Sequence, residues 1–112
     1  MFYFDGTFNS QRIRVYATRG EAWGQVSPNS SIIPLNTWTH IVWTYANGGL
    51  LYINGISQGS QIGSGLLSTN NTNILIGAAL DGAIANYKMY NVALSAQQVL
   101  DNYNAGKTRF SV

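Results

Sequence analysis

Few side chains in this sequence can do covalent or acid–base chemistry. Among 112 residues four are acidic (Asp5, Glu21, Asp81 and Asp101), one is histidine (His40) and none is cysteine. Hydrolysis by paired carboxylates needs two acids flanking the scissile bond, roughly 5–9.5 Å apart. On a strand such a pair stands at alternating positions, and no two of these acids do. Asp81 precedes Gly82 and reads as the start of a turn. Asp101 falls on a helix face and reads as solvation. His40 titrates near neutrality, as a general base must, but it has no cysteine to activate. It reads as a structural, hydrogen-bonded histidine. No phosphate loop, dinucleotide fingerprint or zinc spacing is present. The sequence predicts a protein without catalysis.

Neutral polar and aromatic chemistry remains. Charged residues make up 9 %, against about 25 % in typical domains, so Asn, Ser, Thr, Gln and Gly must cover the surface. Aromatic faces beside amides and hydroxyls suit a flat, hydroxyl-bearing ligand. Trp23, in Arg19-Gly20-Glu21-Ala22-Trp23-Gly24, reads as a loop residue with two readings: an exposed stacking platform, or a plug folded over the core. Trp38 and Trp43 are expected in the core, and Tyr52, Tyr87 and Tyr90 in the core or on a sheet surface. Asn47, Asn70 and Asn71 are polar partners on one rim, or else turn residues. Calcium wants six to eight oxygen ligands, several of them carboxylates. Asp81, with amides and carbonyls near Asn47 and Asn71, makes a poor set, so no cofactor and no tight calcium is expected. The net charge of +2 is small. Arg12, Arg14 and Arg19 read as a solvated strand face, because nucleic-acid binders need a denser basic surface. No apolar run approaches the ~20 residues of a membrane helix, and the first residues carry no signal-peptide pattern.

These residues need a β scaffold. Ile13, Val15 and Ala17 alternate with Arg14, Tyr16 and Thr18 as in a half-buried strand. Ser31 to Leu35 contains Pro34 and reads as an edge or strand end. Trp38 to Tyr45 carries bulk on both faces and reads as a central strand. Asn47-Gly48 and Asn54-Gly55 are hairpin signals flanking Leu50 to Ile53, which predicts a β-meander running on into Ile56-Ser57-Gln58. Residues 59–73 read mostly as loop. Asn73 to Gly77 and Ala83 to Tyr90 read as further strands. Ser95 and Gln98 form a capping box, with Leu94 and Val99 as its hydrophobic staple, opening a short helix that Gly106 should stop. The tail from Lys107 to Val112 reads as a final edge strand or as loose. All 112 residues read as one all-β domain with two antiparallel sheets and one C-terminal helix.

Three stretches carry a family resemblance: Trp38-Thr39-His40-Ile41-Val42; Leu51-Tyr52-Ile53-Asn54-Gly55; and the series Ile76-Gly77, Gly82-Ala83-Ile84, Met89-Tyr90-Asn91-Val92-Ala93-Leu94-Ser95. In this order, over residues 31–105, they resemble the laminin G-like and pentraxin-like branch of the concanavalin A-like jelly rolls. Asn102 to Phe110 resembles the close of such domains in bacteriophage and environmental bacterial proteins. The resemblance implies a jelly-roll sandwich and a non-catalytic module for carbohydrate recognition or adhesion. Its partner would be a glycan or polysaccharide, and its setting extracellular or a virion surface. Some relatives are glycosidases, but their acidic strand pattern is missing here. Where the family often reads Ile-Asp-Glu, this chain reads Ile84-Ala85-Asn86. The chain is also short for the fold, and the N-terminal strand that would usually pair with Ala83 to Tyr90 is expected to be missing. Phe2-Tyr3-Phe4 is expected to replace that strand, or a neighbouring subunit to cover the open edge. The second reading is therefore a structural subunit of a phage particle or other extracellular assembly.

Overall fold

The computed structural model describes residues 2–5, 12–20, 22–69 and 82–110. Alternation in the first apolar stretch produces the central strand of one sheet. Strands β1 (Phe2–Asp5), β2 (Arg12–Arg19) and β3 (Ala22–Gln25) pair antiparallel in the order β1-β2-β3. Ile13 and Val15 are buried, with Ala17 on the same face, while Arg12, Arg14, Tyr16 and Thr18 take the other. Arg19 pairs with Ala22 across a tight hairpin. Gly20 takes φ 59° there, a conformation most side chains avoid.

After β3 the chain stays beside β2 without forming a regular strand. The Val26 and Ser30 N–H groups donate to the carbonyls of Val15 and Ile13, at 2.8 and 3.1 Å. The reverse bonds come from side chains: Ser30 Oγ accepts from the Ile13 N–H (2.7 Å) and Ser27 Oγ from the Val15 N–H (2.9 Å). Both serines are fully buried, so their hydroxyls replace the carbonyls a regular strand would have offered.

The expected meander is the second sheet: β4 (Ile41–Tyr45), β5 (Gly49–Ile53) and β6 (Ile56–Ser57), in the order β4-β5-β6. Both Asn-Gly pairs sit at positive φ, 56° and 140° at Asn47-Gly48 and 50° and 79° at Asn54-Gly55. The two sheets share one core of Ile13, Val15, Val26, Ile33, Leu51 and Ile53, with Ala17, Ile41, Trp43 and Tyr45 packed around it. Gly49 is the point of closest approach. A Cβ there would overlap the Val26 carbonyl oxygen and stand 2.8 Å from Trp43 Nε1, which itself donates to that oxygen (3.3 Å).

Helix α1 (Ala96–Phe110) opens as the capping box predicts. The Gln98 N–H donates to Ser95 Oγ (3.1 Å), and the Ser95 N–H to Gln98 Oε1 (2.9 Å). Val99 is buried, and Leu100 and Tyr103 close over Gly55.

Several expectations are corrected. The helix does not stop at Gly106. Its last turn is held by the Phe110 ring against Trp38 (5.4 Å) and by Lys107 over Tyr103 (5.7 Å), and Lys107 and Arg109 suit the negative end of the helix dipole. Trp38 to His40 are not in β4. The turn at Asn54 leaves no strand opposite them, and Asn54 takes up the main chain of His40 instead, with Oδ1 accepting its N–H (2.9 Å) and its own N–H donating to the His40 carbonyl (2.8 Å). Trp38 is 43 % exposed rather than core, and β4 is an edge of its sheet among the described residues. Ala83 to Tyr90 is not a strand, and Tyr87 and Tyr90 are exposed. Phe2 to Asp5 does form a strand, but it pairs with β2, Phe2 opposite Val15, and not with Ala83 to Tyr90. Among the described residues no neighbour completes a ladder with Ala83 to Tyr90, and an alternating sequence alone does not make a strand. The expected strand at Asn73 to Gly77 lies outside the described residues. The described chain is mostly β with one C-terminal helix, in two small sheets.

Candidate functional site

The β2–β3 hairpin positions the most exposed aromatic among the described residues. Trp23 stands opposite Thr18 in β3, not in a loop, and its ring stacks on Tyr16 at 5.9 Å and 27° between planes. Strand register fixes this pairing, since Tyr16, Thr18 and Trp23 share the outer face. Trp23 is 59 % exposed. Tyr16 supports one side of the indole, and a second segment, residues 67–69, rises beside the hairpin. Ala17, Thr18, Gly20 and Trp23 from the hairpin, with Leu67, Ser68 and Thr69, line an open cleft of about 400 Å³.

The loop that builds the second wall is tied at several points. The Ser68 N–H donates to the Thr18 carbonyl (2.8 Å), and Ser68 Oγ to the Gly20 carbonyl (2.9 Å). Further back, Arg19 Nη1 donates to Ser64 O (3.2 Å) and the Tyr45 hydroxyl to Gly65 O (2.7 Å). Asn47 Oδ1 accepts the Gly65 N–H (2.6 Å), and Gln61 Nε2 donates to the Asn47 carbonyl (3.0 Å). Asn47 therefore does not line the cleft. It makes the β4–β5 turn and clamps the loop that does.

Of the sequence-selected set, Trp23 lines the cleft and Asn47 acts on it from a distance. Asn70, Asn71 and Asp81 lie outside the described residues. Thr18, Ser68 and Leu67 were not singled out by the sequence. The Gly- and Ser-rich composition of residues 59–69 marks a loop but gives no clue to which end meets the hairpin.

His40 sits apart, beneath the helix, with its ring 5.9 Å from Tyr103. Burial, with a smaller contribution from the nearby positive charge of Lys88, lowers its pKa from the usual 6.5. Its Nδ1 is buried and finds no hydrogen-bond partner among the described residues. Arg12, on the strand face read as solvated, donates from Nη1 to Ser30 O (2.7 Å). Among the described residues no three His, Cys, Asp or Glu side chains gather as a metal site, and no helix is long and apolar enough to cross a membrane.

Comparison with known proteins gives a family. No curated protein matches the chain. A crystal structure of an S-layer domain-containing protein from Clostridium thermocellum aligns with 92 % of this chain and 61 % of its own, at 18 % identity and a TM-score of 0.48. A laminin G family model, described as concanavalin A-like lectin/glucanases superfamily, matches residues 1–100. That span takes in the Trp23 hairpin, the clamped loop and both Asn-Gly turns, and the chain belongs to the concanavalin A-like lectin/glucanases superfamily.

Proposed function

We propose that the protein is a non-catalytic binding module that recognises carbohydrate, with the cleft beside Trp23 as its site. The observation that carries this reading is the indole itself, exposed on one side, stacked on Tyr16 and faced by a hydroxyl-bearing wall. A sugar ring presents an apolar C–H face to such a platform and hydroxyls to its rim. Family membership supports the class of ligand and implies the jelly-roll sandwich. The superfamily also contains glucanases, but among the described residues the cleft lining offers no carboxyl group, and hydrolysis needs two. The setting that fits is extracellular or on a virion surface, where glycans are met. Affinity electrophoresis through gels containing soluble polysaccharides tests the reading. Retardation in at least one gel, lost in Trp23→Ala, supports it, and equal mobility in all gels opposes it.

A second reading is favoured by one observation. Ile84, Tyr87, Met89 and Tyr90 are all exposed in a segment whose sequence suits a strand. A subunit of a virion or other assembly would cover such a segment by strand pairing with a neighbour. Sedimentation of a stable oligomer, which needs an interface above about 1,000 Å², would favour this reading.

A further inference from the structure

Among the described residues, those that line the Trp23 cleft carry no formal charge. Thr18, Ser68 and Thr69 supply hydroxyls, Trp23 and Leu67 supply apolar surface, and Ala17 and Gly20 bring only a methyl group and backbone. Arg19, though next to Gly20, is not one of the lining residues, and its Nη1 donates to Ser64 O (3.2 Å). A carboxylate or sulfate entering the cleft would give up water without gaining a cation in return. Hydroxyls have the opposite character: each both donates and accepts, as a sugar hydroxyl requires. Ser68 Oγ spends its proton on the Gly20 carbonyl (2.9 Å) and so presents lone pairs to an incoming hydroxyl. The volume, about 400 Å³, falls at the small end of ligand pockets (roughly 300–1,000 Å³) and suits a short stretch of saccharide.

We infer that this cleft selects uncharged pyranose units, stacked on Trp23 and hydrogen-bonded to hydroxyls of Thr18, Ser68 and Thr69, and takes them without a metal bridge. The inference rests on the binding-module reading above. Its competitor is an acidic glycan lying further along β2. Arg14 stands on the same outer face as Trp23, two residues from Tyr16, and an acidic chain laid along the strand would meet it.

The test is calorimetric titration of the full chain with neutral gluco-, galacto- and manno-oligosaccharides and with oligogalacturonate. Each is run at low and high salt, and with and without EDTA. Neutral-sugar binding that changes less than ~2-fold with salt, as uncharged contacts should, survives EDTA, and falls ~10-fold or more in Trp23→Ala supports the inference. Trp23→Phe should keep part of the affinity, which separates loss of the platform from loss of the fold. Thr69→Lys adds a cation to the lining and should gain oligogalacturonate binding. Salt-sensitive binding of oligogalacturonate by the unaltered chain, lost in Arg14→Gln, overturns the inference but leaves carbohydrate recognition standing. Neutral binding abolished by EDTA overturns the metal-free part. Absence of any binding by a folded sample overturns both this inference and the reading beneath it.

Discussion

Replacing Gly49 by alanine should be among the most damaging small changes in this protein. The new methyl group would overlap the Val26 carbonyl oxygen and lie 2.8 Å from both Val26 C and Trp43 Nε1. Ordinary van der Waals contact begins near 3.4 Å. Two of these three atoms are backbone and cannot rotate away, so Val26 must move off β5. Val26 is fully buried, and its N–H and carbonyl are committed to Val15 and Trp43. Over-packing costs about 1–3 kcal/mol. Breaking the Trp43 bond to a buried acceptor adds about 1–3 kcal/mol. The expected loss is therefore about 2–6 kcal/mol, a large share of the roughly 5–15 kcal/mol that holds a domain together. In urea, with a slope of about 1–3 kcal/mol per molar, the midpoint should fall by ~0.7 M or more at unchanged slope. Gly106→Ala is the matched control. It lies inside α1 with nothing within 4 Å of the added Cβ, and it should stabilise by up to ~1 kcal/mol. A Gly49→Ala midpoint within ~0.3 M of the parent, less than about 1 kcal/mol at that slope, would refute the close approach of the two sheets.

Three further outcomes follow from the same structure. Ser27→Ala removes the buried acceptor of the Val15 N–H and should cost about 1–3 kcal/mol by urea denaturation, whereas Ser57→Ala, at an exposed position, should stay within ~0.5 kcal/mol. Asn47→Gly keeps a residue tolerant of φ 56° but loses the Oδ1 bond to the Gly65 N–H; ligand affinity should fall several-fold while stability falls by no more than ~1 kcal/mol. The pKa of His40 is lowered in the folded state, so the unfolded chain binds the proton more tightly. Its contribution to stability is complete above pH 6.5 and is lost as the pH falls below that value. Thermal melts of the parent should therefore drop through mildly acidic pH, and those of His40→Gln should drop less.

How much of this was legible depends on how local each signal is. The Asn-Gly pairs and the Ser95–Gln98 box declare themselves because their physics involves residues a few positions apart. The alternation of Ile13, Val15 and Ala17 likewise predicts the buried face of β2. Ser27 and Ser30 gave no such sign. A hydroxyl standing in for a strand carbonyl depends on a partner more than ten residues away. Trp23 was visible as an aromatic but was placed in a loop, because Gly20 and Glu21 mark the turn without showing that pairing resumes at Ala22. Gly106 reads as a stop only if the chain beyond it has nothing to hold it, and the Trp38–Phe110 contact is invisible along the sequence. The strand expected at Ala83 to Tyr90 failed for the same reason, since a strand is completed by a partner and a sequence pattern supplies only half of it. Of the cleft-lining residues only Trp23 stood out in the sequence, from its type and surroundings; Asn47 stood out as a turn residue, and its reach to Gly65 only the folded loop reveals.

The most direct measurement is a glycan array probed in parallel with the parent chain and Trp23→Ala, each shown to be folded by circular dichroism. The account predicts binding to a related set of neutral glycans by the parent, and loss of those signals in the variant. Binding that survives intact in Trp23→Ala, or a blank array from the folded parent, would contradict the assignment of a carbohydrate site to this cleft.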